Sequence, residues 1–379
     1  MTSRERLLCV LSGGIPDQVP ISPFITEFFL SYYYDSTHTD RVRDAVRLAE
    51  EFDLDIITRQ HILPEPSFML ESRPNWDVSL RYFRDAHVYY RETTIKTPVR
   101  ELHQLEATPW QPWNLYGAHY APQEYLLKSP ADFEALKKYC PELPKTVIDK
   151  IRDSVTEARK IVGNRGLTCP WTIGGAYNRA SQYISMESLL TDVYENEDYY
   201  EEYMQFFTDL VIKNHEIFAD SVCDGVGYQG NIANASIMSA DFFREFVLPY
   251  EQQAVKVLSD AGKYTIYHNC GKAKNFYSCY RDMGITVWET VSTPPQGDND
   301  LQDAKDFFGD SIVLSGNFDQ VHFLKEATPM EIEEAARRQM EIGKVGGHYL
   351  FAASDYIEPG TPIENFRAFL RGGRAAATY

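Results

Sequence analysis

His268 and Cys270, two residues apart, close the stretch Tyr264-Thr265-Ile266-Tyr267-His268-Asn269-Cys270-Gly271-Lys272. Its first five residues are mostly β-branched or aromatic, the composition of a strand. Gly271 then turns the chain toward a helix that begins near Ala273. Imidazole and thiolate are the ligands zinc takes most readily. The same pair also describes a buried histidine beside an unrelated cysteine, so the chemistry depends on which other groups arrive at the same place.

In a parallel α/β fold those groups come from strand ends. The fourth expected strand offers Asp224, and Tyr228, Gln229 and Asn231 follow it; the sixth ends in Glu289; the seventh leads to Asn317 and Asp319. After the eighth comes Ala352-Ala353-Ser354-Asp355. One imidazole, one thiol and two carboxylates from neighbouring strands are what a three-ligand zinc site with an open fourth position requires. Each carboxylate has a second reading at this stage. Glu289 is either a ligand or the partner of an arginine, Asp319 either a ligand or a helix cap, and Asp355 either a ligand or a turn residue. His348 reads as a packed histidine, and His322, His215 and His119 have no evident partner. No Gly-x-Ser-x-Gly elbow, Gly-x-Gly-x-x-Gly fingerprint or Walker loop is present, so hydrolase, dinucleotide and nucleotide-triphosphate chemistry have no support.

The elements that must position these groups follow from periodicity. Strands are predicted at 19–24, 54–58, 167–172, 224–228, 264–268, 286–289, 312–316 and 347–352, with helices between them. The predicted helices are 3–12, 40–52, 130–139, 145–162, 187–219, 240–261, 272–283, 300–308, 328–342 and 362–377. Eight βα units specify a (β/α)8 barrel better than an open sheet. The expectation is one domain over 1–379, with an N-terminal extension and an antiparallel excursion at 60–127 inserted after the second strand.

The formal net charge of −18 in 379 residues argues against nucleic acid, whose phosphates need a basic surface. No apolar run reaches spanning length and the N-terminus lacks a signal-peptide pattern, so a cytoplasmic protein is expected. The six cysteines show no paired spacing and read as reduced thiols. Aromatic clusters at Phe28-Phe29 with Tyr32-Tyr33-Tyr34, and at Trp110, Trp113 and Tyr116, read either as loop packing or as a flat pocket for a ring.

Taken nearly end to end, the chain resembles the uroporphyrinogen decarboxylase superfamily, and within it the zinc-dependent, corrinoid-linked methyltransferases. The resemblance is carried by Ser3-Arg4-Glu5-Arg6 to Pro20, Ser239-Ala240-Asp241-Phe242-Phe243 with Leu248-Pro249-Tyr250, His268-Asn269-Cys270-Gly271, Gly309-Asp310 to Asp319, and Gly346-Gly347 to Asn365. The decarboxylases carry an arginine-rich signature after the first strand that grips substrate carboxylates. Here Phe24-Ile25-Thr26-Glu27-Phe28-Phe29 stands there, without arginine, which excludes porphyrinogen decarboxylation.

The thiol methyltransferases of the superfamily bind zinc through His-x-Cys and a second Cys. His268 and Cys270 match, and the second cysteine position falls on Asp355. The resemblance therefore implies zinc held by His268, Cys270 and Asp355, with Glu289 as an alternative ligand, and a corrinoid carried by a partner protein. A carboxylate in place of a thiolate makes the metal harder and better suited to polarising oxygen. The expected reaction is thus removal of a methyl group from a methoxylated, aromatic substrate, with transfer from methylcobamide to a thiol, or a metal-free decarboxylase-like lyase, as alternatives. In that picture Glu289, Asp319 and Tyr228 act on the substrate, and Phe24, Phe28, Trp171, Asn231 and Asn317 surround it. Because the superfamily's decarboxylases are often dimers, a homodimer is the expectation for assembly.

Overall fold

The computed structural model describes residues 1–36, 40–59, 67–109 and 120–379. Eleven strands lie within them: β1 (Ile56–Thr58), β2 (Asp77–Arg84), β3 (Val88–Lys96), β4 (Glu101–Pro109), β5 (Ala121–Glu124), β6 (Gly166–Thr168), β7 (Gly225–Gln229), β8 (Tyr264–His268), β9 (Val287–Val291), β10 (Val313–Phe318) and β11 (Tyr349–Ala353). β1 pairs with β6 in parallel, and β7 to β11 form a second parallel sheet in chain order.

Two seams join these sheets. Asp224 N donates to Thr168 O at 2.9 Å and Gly227 N to Pro170 O at 2.9 Å, carrying β6 onto β7. On the other side residues 20–22 lie between β11 and β1. Phe351 N donates to Pro20 O at 3.0 Å, Ser22 N to Phe351 O at 2.9 Å and Asp55 N to Ile21 O at 2.8 Å. Backbone hydrogen bonds thus pass from stave to stave around eight positions. The first predicted strand, 19–24, shortens to a single parallel bridge at Ile21, because Pro20 and Pro23 have no N–H to give a ladder.

Side chains alternating along the staves divide into two sets. Ile57, Leu167, Cys169, Ile266, Val287, Val313 and Leu350 face one another inside the ring, and Leu7, Val10 and Leu11 of the helix Ser3–Leu11 pack onto them from the end where the strands begin. The opposite set, with Tyr228, Tyr267, Trp288, Tyr349 and Phe351, packs outward under the helices. The N-terminal helix is tied down by charge. Arg4 Nη1 binds Asp224 Oδ2 at 2.8 Å, and Arg6 Nη1 binds Asp55 Oδ1 at 2.6 Å, while Asp55 Oδ2 also accepts from Ile21 N at 2.9 Å.

β2, β3, β4 and β5 form the antiparallel excursion expected after the second stave. Trp110, Trp113, Tyr116 and His119 lie outside the described residues. The helix expected over 187–219 is broken in two, and with a short helix before it the stretch runs Ala176–Ala180, Met186–Glu195 and Glu197–Ala219. Ser185 caps the second through Ser188 N at 3.1 Å, and Asn196, between the last two, breaks the helical backbone. The aromatic cluster near 28–34 is itself a helix, Glu27–Tyr33, which buries Phe29 and Leu30 and sets Phe29 against Phe366 at 5.4 Å. Among the described residues no helix is long and apolar enough to cross a membrane.

Asp55 is the joint between the N-terminal helix and the weakest stave. Asp55→Ala leaves the buried Ile21 N–H without an acceptor and Arg6 with Asp17 as its remaining carboxylate, and should cost about 2 kcal/mol. A lowered thermal midpoint and denaturant midpoint are the expected readings; a variant as stable as the parent would contradict this role.

Candidate metal centre

The His-x-Cys pair leaves β8 at the end opposite the N-terminal helix. Continued strand alternation puts residues 268 and 270 on the same side, and the residue between them holds the loop in place. Asn269 is fully buried. Its Nδ2 donates to Gly230 O at 3.0 Å, to Ala233 O at 2.9 Å and to the Tyr267 hydroxyl at 3.1 Å, while its carbonyl accepts from Trp288 Nε1 at 3.1 Å. Gly271 turns the chain away with φ +91°, which a side chain would resist. On β11, Ser354 N donates to Phe318 O at 2.7 Å, which fixes the following Asp355.

One ligand atom each from His268, Cys270 and Asp355 lies within 4.8 Å of the others, and His268 Nε2 is 3.8 Å from Asp355 Oδ1. Tetrahedral zinc at metal–ligand distances of roughly 2.0–2.3 Å needs its donors about 3.5 Å apart, so a small inward movement would complete the set. The tautomer is right for it. His268 Nδ1 lies 3.0 Å from Glu289 Oε2; with the proton on Nδ1 donating to that carboxylate, the Nε2 lone pair faces the other two donors. Burial, aided by the nearby Arg59 charge, pulls the His268 imidazole down to about 3, so it is neutral at ordinary pH. Burial also pushes Cys270 up to about 12, with Asp355 adding to the effect, and Asp355 up to about 6. A neutral imidazole and two anions that are costly to form without a counter-charge fit a divalent cation.

Glu289 is the correction to the expected ligand set. Its carboxylate is gripped by both Nη atoms of Arg59, and with His268 Nδ1 bound as well it serves as an orienting group rather than a ligand. Arg59, the residue after β1, has a side chain 6% exposed. Burial draws its guanidinium down to about 9, and the paired carboxylate keeps it charged. In the sequence an arginine is sought after the first stave, where none stands. Arg59 occupies a stave end like the others, and that position was the available signal.

Aromatic rings wall the site. Arg59 Cζ lies 3.8 Å from the Phe24 ring centre and 5.2 Å from that of Trp171. Phe24 stacks on Trp171 at 6.0 Å, both rings meet His268 edge-on at 5.6 and 5.7 Å, and Tyr356 meets Phe24 at 6.1 Å. Gly227 permits this, since a Cβ there would stand 2.2 Å from Trp171 Cε3. Phe24 and Trp171 thus stand against the His268 ring.

Four other expected residues are elsewhere. Tyr228 is fully buried on the outer side of the ring, with its hydroxyl 3.6 Å from Met283 Sδ, because its place in the alternation points it at the helices. Asp319 is a cap: Oδ1 accepts from Val321 N at 2.9 Å and His322 N at 3.0 Å, and also from Gln296. Asp224 sits at the opposite end of the ring, bound to Arg4. Asn317 Nδ2 reaches Asn299 O at 3.4 Å instead. Among the described residues no hydrogen bond or ring contact ties Phe28 or Asn231 to the three donors.

A family model described as uroporphyrinogen decarboxylase (URO-D) matches residues 121–375. The chain is 26% identical over 271 residues to a methylcobamide:CoM methyltransferase, MtaA, of Methanosarcina barkeri, covering 70% of this chain and 69% of that one. It is 23% identical over 227 residues to a methylcobamide:CoM methyltransferase, MtbA, of Methanosarcina acetivorans, covering 58% and 62%. A solved methyltransferase from Methanosarcina mazei superposes with a TM-score of 0.64 at 21% identity, covering 99% of both chains, and so shares the fold.

Zinc uptake should depend on pH in a stated way. Above pH 6 binding displaces about one proton, that of the Cys270 thiol. Between roughly pH 4 and 6 it displaces about two, because Asp355 is then protonated as well. Competition with a chromophoric chelator should give a slope of log affinity against pH near one above pH 6, steepening toward two below it. His268→Ala with Cys270→Ala should abolish one-to-one zinc, and Glu289→Gln should weaken it about 10–100-fold. Stoichiometric zinc in the double variant would dismiss the site.

Proposed function

We propose, for a chain that belongs to the uroporphyrinogen decarboxylase family, a zinc-dependent transfer of a methyl group between the cobalt of a partner corrinoid protein and a small molecule bound beside His268. The observation that carries this reading is the convergence of His268, Cys270 and Asp355 within 4.8 Å, with Glu289 holding His268 Nδ1. His268 Nε2, Cys270 Sγ and Asp355 would hold the ion, a three-ligand set of the kind that keeps one position open. When bound, zinc supplies Lewis acidity to a sulfur or oxygen of the substrate.

The relatives support a thiol as methyl acceptor over the methoxylated donor expected from the residues alone. In that direction the thiol loses its proton, an S–C bond forms as the Co–C bond breaks, and the electron pair stays on cobalt. Asp355 in the second cysteine's place keeps two anionic ligands in the set, so the total ligand charge is unchanged. Glu289, itself held by Arg59, fixes the His268 ring, while Phe24 and Trp171 pack against it, Tyr356 packs against Phe24, and the three offer apolar surface to the substrate. A second reading, methyl removal from an aryl methyl ether, is favoured by the harder carboxylate ligand and by that aromatic wall. The same proposal includes a closed (β/α)8 barrel forming one domain, a cytoplasmic location and a homodimer.

Methylcobalamin can stand in for the corrinoid protein. With zinc-loaded enzyme and a panel of small thiols, including 2-mercaptoethanesulfonate, its visible spectrum should convert to that of reduced cobalamin, and Cys270→Ala should slow this at least 100-fold. Turnover of methoxybenzenes with reduced cobalamin, and none with thiols, would select the ether reading. Silence in both assays would remove both.

A further inference from the structure

Away from the metal centre, a groove of about 600 Å³ runs between the helices Lys145–Val162 and Glu197–Ala219, with the short helix Ala176–Ala180 also contributing to its lining. Its apolar wall includes Val147, Ile148, Phe206, Leu210 and Ile217. That volume suits a small organic ligand. Its rim is charged but locally neutralised. Lys213 pairs with Glu142 at 3.0 Å, Arg152 with Asp220 at 2.9 Å and Lys145 with Asp149 at 3.1 Å, and Glu216 is exposed to solvent.

Arg179 differs from these. It lines the same groove and is 6% exposed, yet among the described residues no carboxylate lies within 4.0 Å of it. One Nη donates to the Tyr183 hydroxyl, and its Nε is buried with no hydrogen-bond partner. Asn214, 3% exposed, also lines the groove, and its Oδ1 is likewise buried and unpartnered. A guanidinium taken out of water without an anion is costly, and its orphaned Nε beside a cavity marks where an anionic ligand would supply what is missing, whereas Asn214 Oδ1 calls for a donor. Arginine matches a planar, two-oxygen anion, and the walls match a hydrocarbon body.

We infer that this groove is a second binding site, for a small organic acid whose carboxylate or sulfonate sits on Arg179 and whose apolar body lies along Ile148, Phe206 and Leu210. The site is independent of the methyl-transfer reading. Ile173 lines the groove two residues beyond Trp171, so an occupant would also touch the loop that carries part of the aromatic wall.

Calorimetric titration of the full-length, zinc-loaded protein with 4-phenylbutyrate should show saturable one-to-one binding. The neutral 4-phenylbutyramide and inorganic phosphate should bind at least tenfold more weakly. Arg179→Gln should weaken 4-phenylbutyrate at least tenfold, with Arg179→Lys in between. Ile148→Trp, which leaves Arg179 in place and fills the groove, should remove binding while zinc content stays at the parent level. The inference is overturned if 4-phenylbutyrate does not saturate, if the amide or phosphate binds as well, or if Ile148→Trp binds unchanged.

Discussion

One buried carboxylate organises the candidate metal centre. Glu289 lies in the middle of β9 between two partners, the Arg59 guanidinium just after β1 and the His268 imidazole from β8. Each element of the trio would be expensive alone in a dry environment. Together the arginine and carboxylate cancel, and the histidine stays neutral with its proton on the nitrogen that faces away from the other donors. These contacts tie three staves together at one depth, the depth at which His268, Cys270 and Asp355 converge.

The two ends of the ring solve opposite problems. Where the strands begin, Leu7, Val10 and Leu11 stopper the apolar interior, and Arg4 and Arg6 tie the stopper to Asp224 and Asp55. Where the strands end, the interior is polar. The cost of burying those groups is contained by Phe24 and Trp171, which pack against the imidazole and the guanidinium, with Tyr356 against Phe24. A glycine on β7 makes room for the indole, so the aromatic wall depends on the absence of a side chain on the neighbouring stave.

Substitution of a carboxylate for the second thiolate of the family's pattern bears on mechanism through hardness rather than charge. Cys270 and Asp355 together carry the same ligand charge as two cysteines once deprotonated. In the metal-free state, however, burial raises both groups, Cys270 to about 12 and Asp355 to about 6. Protonation is thus the competitor of metal, and more so for the thiol than for the carboxylate.

Much of this was legible in order along the chain. The helix bounds 130–139 and 145–162, the antiparallel excursion and seven of the eight staves follow from apolar spacing, turn residues and caps, which act over a few residues and so leave a local record. His268, Cys270 and Asp355 were legible for the same reason: strand ends can be counted, and the ends meet. What could not be read was which way each end group points and what it already binds. Tyr228 and His268 both sit at strand ends, yet one faces the helices and the other the ring's mouth. Asp319 and Glu289 are both carboxylates expected at strand ends, yet the first is consumed by backbone N–H groups three and four residues on, and the second by an arginine 230 positions away. Local pattern fixes the elements because their hydrogen bonds and periodicities are local. The charge pairing that turns a set of strand ends into a candidate metal site is settled by distances that only the tertiary fold brings about.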